Sequence, residues 1–115
     1  MTFGTELKEQ RRKAGISQRD LANKIGLDFS YISKLENDRL PPPSAETILA
    51  ICKVLELPPE TLLAEAGKLP DDVQRVIGES RAAQEFLRDA KSLELSDEEW
   101  SLMRNSLHKL RGDNQ

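Results

Sequence analysis

The sequence predicts an all-α protein with a small N-terminal domain and a C-terminal helical hairpin. Apolar residues recur every three or four positions in successive segments, which is the period of an amphipathic helix. Ser or Asp precedes several of these segments and Gly or Pro follows them, and such residues start and end helices. Charged residues make up 32% of the chain and aromatic residues only 4%, a composition typical of helix-rich proteins.

Length and composition limit the class of protein. The 115 residues suffice for one small domain and an appendage. No apolar run approaches the roughly 20 residues that a membrane span needs, and the N-terminus lacks the apolar stretch of a signal peptide. We therefore expect a cytoplasmic protein without a membrane partner. Cys52 is the single cysteine, which excludes an internal disulfide, and we expect it to be a buried core residue.

The charge is distributed unevenly along the chain, although the net value is only −3. Residues 1–39 hold eight Lys/Arg against six Asp/Glu, and residues 40–115 hold nine against fourteen, out of 17 and 20. The basic excess therefore lies in the first third of the chain, and any contact with phosphate is expected there.

Residues 17–37, SQRDLANKIGLDFSYISKLEN, predict two short helices joined by a tight turn. Ser17 and Asp28 are predicted N-caps, and Gly26 supplies the positive φ of the turn. One face collects the apolar residues Leu21, Ala22, Ile25, Ile32 and Leu35. The pattern predicts a helix-turn-helix, whose second helix can enter a DNA major groove.

Three further helices complete the predicted N-terminal domain, residues 1–67. The first spans residues 3–14, and Gly15 follows it. Ser44 caps the fourth, which follows a run of three prolines, and the fifth spans about residues 59–66. A short connecting helix is predicted within residues 68–80.

Residues 81–115 predict a helical hairpin whose second helix starts at Ser96, with Glu99 completing a capping box. Its apolar positions are Phe86, Leu87 and Ala90, then Trp100, Met103, Leu107 and Leu110. An isolated hairpin buries too little apolar surface to offset its ordering entropy. It must dock on the first domain or pair with another chain. We expect pairing, because a heptad-like seam with Trp and Met suits a symmetric interface.

A set of positions in the first half of the chain matches a known pattern in register. They are Leu7, Arg11, Gly15-Ile16-Ser17-Gln18, Leu21-Ala22, Ile25-Gly26, Tyr31-Ile32-Ser33-Lys34-Leu35-Glu36-Asn37, Pro43-Ser44, Ile48 and Leu55. Residues 3–67 thereby resemble the Xre/Cro family of lambda-repressor-like DNA-binding domains. The resemblance implies five helices, with the third as recognition helix, and a sequence-specific repressor or switch that binds operator DNA as a dimer.

The segment EFLRDAKSLELSDEEW carries a second likeness. Residues 81–111 resemble the C-terminal multimerisation hairpin of Sin-type repressors, in which two helices pair with a second copy or with the hairpin of an antagonist. The resemblance implies a homodimer, with a tetramer as the alternative, and an antagonist protein as a partner.

Residues that point away from the buried side of helix three are the candidates to meet base edges. They are Phe29, Ser30, Ser33 and Lys34, and the alternative is an ordinary solvated face. Tyr31 is expected to be half-buried, with its hydroxyl reaching a phosphate or with core packing as its only role.

The family resemblance implies roles for five more residues. Gln18 bridges a phosphate and the recognition helix, unless it is an ordinary exposed first residue of its helix. Asn37 and Arg39 hold the DNA backbone, with simple capping as the alternative. Arg11 and Glu36 form a buried ion pair that ties helix one to helix three.

No residue set favours catalysis, because no nucleophile has a plausible base and no Gly-rich loop could cradle a phosphate. His108 has no companion at metal spacing and is expected at the surface. We predict no cofactor and no metal. The sequence favours a repressor that binds a palindromic operator. The rival is an antitoxin or adaptor whose hairpin binds a partner protein, with DNA binding secondary.

Overall fold

The computed structural model describes residues 2–112, and its regular secondary structure within them is entirely helical. Residues 113–115, which the predicted hairpin segment includes, lie outside the described range. The all-α fold class is confirmed. The helices are α1 (Phe3–Lys13), α2 (Gln18–Ile25), α3 (Phe29–Glu36), α4 (Ala45–Leu55), α5 (Glu60–Ala66), α6 (Asp71–Gly78), α7 (Arg81–Leu93) and α8 (Asp97–Leu110).

The chain divides into two compact units, Met1–Gln74 and Arg75–Gln115, and the division falls inside α6. The sequence predicts a DNA-binding domain in residues 1–67 and a dimerisation hairpin in residues 81–115, joined by a connecting helix within residues 68–80. Those functional assignments stay predictions. None of the helices among the described residues has the length and apolarity needed to cross a membrane.

The first unit is built around a core to which all of α1–α5 contribute. Close packing joins α3 to both α1 and α2, and α4 packs on α2 and α5. The apolar stripes predicted from the sequence supply the fully buried side chains, Leu7, Leu21, Ile32, Leu35, Ile48, Ile51 and Leu62. Cys52 is buried among them, and burial raises the pKa of its thiol. Because α1 and α2 both pack against α3, these two helices hold the inner side of α3 in place.

The turn between α2 and α3 forms as the sequence predicts, with one exception. Gly26 has φ +73°, and the Ser17 hydroxyl accepts from the N–H of Asp20 at 3.0 Å. Asp28 occupies the N-cap position of α3, but its side chain makes no capping hydrogen bond. The backbone carbonyl of Asp28 instead accepts from the N–H of Tyr31 at 3.1 Å, which is the group that a side-chain cap would take. Asp28 is thus the N-cap residue that the sequence predicts, but it lacks the side-chain hydrogen bond that Ser17 makes at the start of α2.

A contact between the end of α3 and the start of α1 closes the first unit. Asp38 follows α3 with φ +57°. One of its carboxylate oxygens accepts from the N–H of Gly4 at 3.0 Å, and the other accepts from the Thr2 hydroxyl at 2.7 Å. Gly4 permits this approach, because a Cβ there would collide with the carbonyl oxygen of Leu35 and with Asp38.

Gly4→Ala is expected to destabilise the first unit by about 1–3 kcal/mol, because the new methyl group must displace backbone atoms. Urea unfolding followed by circular dichroism measures the change. The matched control is Gly78→Ala, since a Cβ at Gly78 meets no atom within 4 Å. The control should lose no stability, and equal unfolding midpoints for the two variants would show that α1 and α3 do not approach this closely.

The second unit contains α7 and α8, each with a serine cap. The Ser80 hydroxyl accepts from the N–H of Ala83 at 3.1 Å. Ser96 and Glu99 form the predicted capping box at the start of α8. Ala90 is buried, but many apolar side chains of these two helices are exposed: Phe86, Leu93, Trp100, Leu102, Met103, Leu107 and Leu110. The second unit therefore exposes an extensive apolar surface to solvent.

Candidate nucleic-acid interface

The outer face of α3 carries the residues predicted to meet base edges. Ile32 and Leu35 point into the core, whereas Phe29, Ser30 and Lys34 are exposed. Phe29 keeps 40% of its surface accessible despite its size. Ser33 is only partly exposed. These four residues thus place an aromatic ring, two hydroxyls and an ammonium group on one side of α3, whose other side is packed against the core.

A buried polar cluster fixes the C-terminal end of α3. Glu36 is only 3% exposed, and its carboxylate accepts from Arg11 Nε at 2.6 Å and from Arg11 Nη2 at 3.0 Å. Arg11 also donates from Nη1 to the carbonyl oxygen of Ile16 at 2.9 Å. The hydrogen bond from Arg11 to Glu36 raises the pKa of the guanidinium. This ion pair joins α1 to α3, at the positions where the family resemblance implies one.

Gln18 joins the same cluster from the first position of α2. Its Nε2 donates to Glu36 Oε1 at 2.9 Å, and the side chain is half-buried. The structure therefore rules out the alternative that Gln18 is an ordinary exposed helix residue. Glu36 connects three helices, because α1 supplies Arg11, α2 supplies Gln18 and α3 supplies the carboxylate. No buried side-chain nitrogen or oxygen among residues 2–112 is left without a hydrogen-bond partner.

The other residues predicted to contact DNA differ in whether they already form contacts within the protein. Tyr31 is half-buried against the core, as expected. Asn37 is exposed, and its Nδ2 donates to the carbonyl oxygen of Ser33 at 2.9 Å, which is a capping contact. Arg39 is exposed, and within the described residues its guanidinium has no hydrogen bond or ion pair. Of these three, Arg39 has a charged group available to a ligand.

A contact that the sequence did not reveal lies at the start of α3. The guanidinium carbon of Arg19 lies 4.5 Å from the centroid of the Phe29 ring, which is a cation–π contact. The two residues are ten positions apart and belong to different helices. Helical periodicity signals which face is buried, so it gives no sign of a contact between two exposed side chains.

The predicted dimerisation residues all lie on α7 and α8, with unequal exposure. Ala90 is buried and Leu87 is half-buried. The others are exposed: Phe86, Trp100, Met103, Leu107 and Leu110. Their role in pairing stays a prediction. A search of the described residues finds no cluster of His, Cys, Asp and Glu that could hold a metal ion.

Residues 7–62 match the family model described as Helix-turn-helix. The chain is 35% identical over 75 residues to the uncharacterized HTH-type transcriptional regulator RghRB of Bacillus subtilis (strain 168), covering 63% of this chain and 54% of that protein. It is 32% identical over 72 residues to the HTH-type transcriptional regulator SinR of the same strain, covering 63% and 65%. The chain thus spans about half the length of the first of these relatives.

Two solved structures resemble this one. The first is a crystal structure of SinR, the master regulator for biofilm formation, in complex with DNA. It matches with a TM-score of 0.51 and 32% identity over 54% of this chain and 98% of that chain. The second is a complex of the SinR and SinI proteins, with a TM-score of 0.52 over 97% of this chain and 100% of that chain. Its identity is only 22%, so it indicates the fold alone. The chain belongs to the Xre-like helix-turn-helix family, and residues 7–62 form its family domain.

Proposed function

We propose that this protein is a transcriptional repressor that binds a palindromic operator as a dimer, with α3 of each copy in the major groove. The exposed face of α3 is the observation that carries the proposal. Phe29, Ser30 and Lys34 project from a helix whose inner side is held by buried Ile32 and Leu35. The SinR–DNA complex, which is 32% identical to this chain over 98% of the SinR chain, supports the assignment of DNA as ligand.

The side chains of this face match the chemistry of base edges. The major groove is about 12 Å wide and admits a helix, and the N-terminal residues of the recognition helix contact the bases. Lys34 donates to O6 and N7 of guanine, and the hydroxyls of Ser30 and Ser33 both donate and accept. Lys34 and the serines thus read hydrogen-bonding groups, whereas Phe29 reads an apolar one.

Phosphate contacts are assigned to the residues that flank α3. Arg39 follows α3, and its guanidinium has no hydrogen bond or ion pair within residues 2–112. Gln18 lies at the N-terminus of α2, where backbone N–H groups favour anions. The Tyr31 hydroxyl adds a neutral donor. Asn37 supports the site indirectly, because its amide already caps the last turn of α3. Most of the binding free energy then comes from phosphate contacts, so affinity falls steeply with salt.

The exposed apolar faces of α7 and α8 are assigned to pairing with a second copy. Leu107 and Leu110 are 56% and 81% exposed, although leucine is normally buried. A contiguous apolar surface of this kind marks a protein–protein interface. An antagonist protein with an amphipathic helix would compete for the same face. The same face would bind the partner in the alternative function, an adaptor or antitoxin for which binding of a partner protein is the primary role and DNA binding is secondary.

The experiment that tests the function is selection of duplexes from a random library by the full chain. We expect one palindromic sequence with half-site centres about 34–36 Å apart, one helical turn, or a multiple of that spacing. Affinity for the selected duplex should fall with salt and exceed affinity for a scrambled duplex by at least about 10³-fold. A chain that enriches no sequence, yet binds a partner protein, would favour the adaptor function.

Met103→Lys with Leu107→Lys is expected to convert a dimer into a monomer, because two ammonium groups would be buried in an apolar interface. Sedimentation equilibrium should give twice the 13.0 kDa of one chain for the native protein and 13.0 kDa for the variant. The control is Ser101→Lys with Asn105→Lys, which adds the same charges with the same spacing at exposed polar positions. A native protein of 13.0 kDa, or a variant that stays dimeric, contradicts the assigned interface.

A further inference from the structure

Arg19 and Phe29 connect the two helices of the helix-turn-helix at the end that faces a ligand. Arg19 lies in the first turn of α2, and Phe29 is the first residue of α3. The guanidinium carbon lies 4.5 Å from the ring centroid, and both side chains are exposed. In a helix-turn-helix the first of these helices crosses the DNA backbone, and the N-terminus of the second contacts bases. The ring therefore holds a cation from the backbone-crossing helix at the base-reading end of α3.

The contact leaves the polar groups of Arg19 available. A cation–π contact draws on the charge of the guanidinium and provides no conventional hydrogen-bond acceptor, so the five N–H donors can still bind a ligand. The ion pairs found among the described residues are Arg11–Glu36 and Lys13–Glu9, so Arg19 is not engaged by a carboxylate, although Asp20 and Asp28 are near in sequence. An exposed phenylalanine contributes nothing to the core. The N–H donors of Arg19 and the exposed part of the Phe29 ring are thus both available to a ligand.

We propose that Arg19 and Phe29 together read a thymine and an adjacent guanine in each operator half-site. The Phe29 ring contacts the 5-methyl group of thymine, and Arg19 donates two hydrogen bonds to O6 and N7 of guanine. Apolar contact with the thymine methyl and bidentate arginine–guanine pairing are the usual forms of these contacts. The inference rests on the proposed function, because it requires the N-terminus of α3 to lie in the major groove.

The spacing of the two groups favours bases over phosphate. The ring and the guanidinium are separated by 4.5 Å, and successive base pairs are separated by about 3.4 Å. A ring and a guanidinium at this separation can therefore meet the edges of two neighbouring base pairs. A phosphate contact would use Arg19 alone and would leave its contact with the Phe29 ring without a function in base recognition. The pairing gives both residues one shared function.

The test uses the full chain and the duplex that it selects. Uracil in place of the thymine removes only the methyl group, and 7-deazaguanine removes only N7. We expect uracil to weaken native binding about fourfold, the value of one buried methyl group, and 7-deazaguanine to weaken it about tenfold. Phe29→Ala should abolish the response to uracil, and Arg19→Ala the response to 7-deazaguanine. Arg19→Lys should weaken the guanine preference less than Arg19→Ala does, because an ammonium group can still donate to guanine but lacks the planar fork of the guanidinium.

Lys24→Ala is the matched control, because Lys24 is an exposed cation of the same helix. It should leave both base responses unchanged. If Arg19→Ala weakens binding to every sequence equally and lowers the salt dependence, Arg19 binds phosphate and the inference is wrong. A selected site without neighbouring thymine and guanine also overturns it while the proposed function stands. Failure to select any sequence overturns both.

Discussion

Replacing Glu36 with alanine is expected to lower the free energy of unfolding of the first unit by about 3–5 kcal/mol, the cost of leaving one member of a buried ion pair alone. Arg11 would keep its charge in a site that is only 8% exposed, and Gln18 would lose its acceptor. Small domains have total stabilities of about 5–15 kcal/mol. Urea unfolding followed by circular dichroism should therefore show a variant close to the limit of folding.

Two further variants separate the loss of the ion pair from other effects. Glu46→Ala removes an exposed carboxylate from the first turn of α4 and should change stability by no more than about 0.5 kcal/mol. Arg11→Met combined with Glu36→Leu removes both charges, and it should recover most of the stability lost by Glu36→Ala. An unfolding midpoint for Glu36→Ala equal to that of Glu46→Ala would exclude a structural role for the cluster.

Replacing the four outer residues of α3 with alanine is expected to abolish sequence-specific DNA binding while the protein stays folded. The positions are Phe29, Ser30, Ser33 and Lys34. Alanine has the highest helix propensity, and none of the four side chains is buried, so α3 should persist. Affinity for the selected duplex should fall by about 10³-fold or more, to the level of non-specific binding. Fluorescence anisotropy with labelled duplexes measures the loss.

A control on α4 tests whether the effect belongs to this surface. Glu46→Ala with Lys53→Ala changes exposed charges of α4 and should leave specific affinity intact. The melting temperature of the four-residue variant must match that of the native protein for the comparison to hold. Undiminished binding by the folded four-residue variant would remove α3 from the DNA-binding surface and refute the proposed function.

The helices of the first unit could be predicted because their signals are local. The Ser17 cap and the positive φ of Gly26 depend on neighbouring residues, and the buried stripe of α3 follows from helical spacing. Contacts between distant segments carry no such signal. The Asp38 carboxylate meets Gly4 34 residues earlier in the chain. Nothing in the residues around either position indicates that the two backbones approach.

The structure also adds detail that residue types alone do not give. Asp28 is the N-cap residue of α3, but its backbone carbonyl and not its side chain accepts from the N–H of Tyr31. His108 is half-buried, while its apolar neighbour Leu107 is 56% exposed. The periodic pattern of α8 identified an apolar stripe correctly, but it does not specify whether one chain alone covers that stripe.

The position of Glu36 places the residues that stabilise the fold and the residues proposed to contact DNA on opposite sides of α3. The carboxylate that joins α1, α2 and α3 lies on the inner side of α3, whereas Phe29, Ser30 and Lys34 lie on its outer side. Substitutions on the outer side leave the inner cluster untouched. Under the proposed function, exchanging a few outward residues would therefore retarget the domain to new operators at little cost in folding.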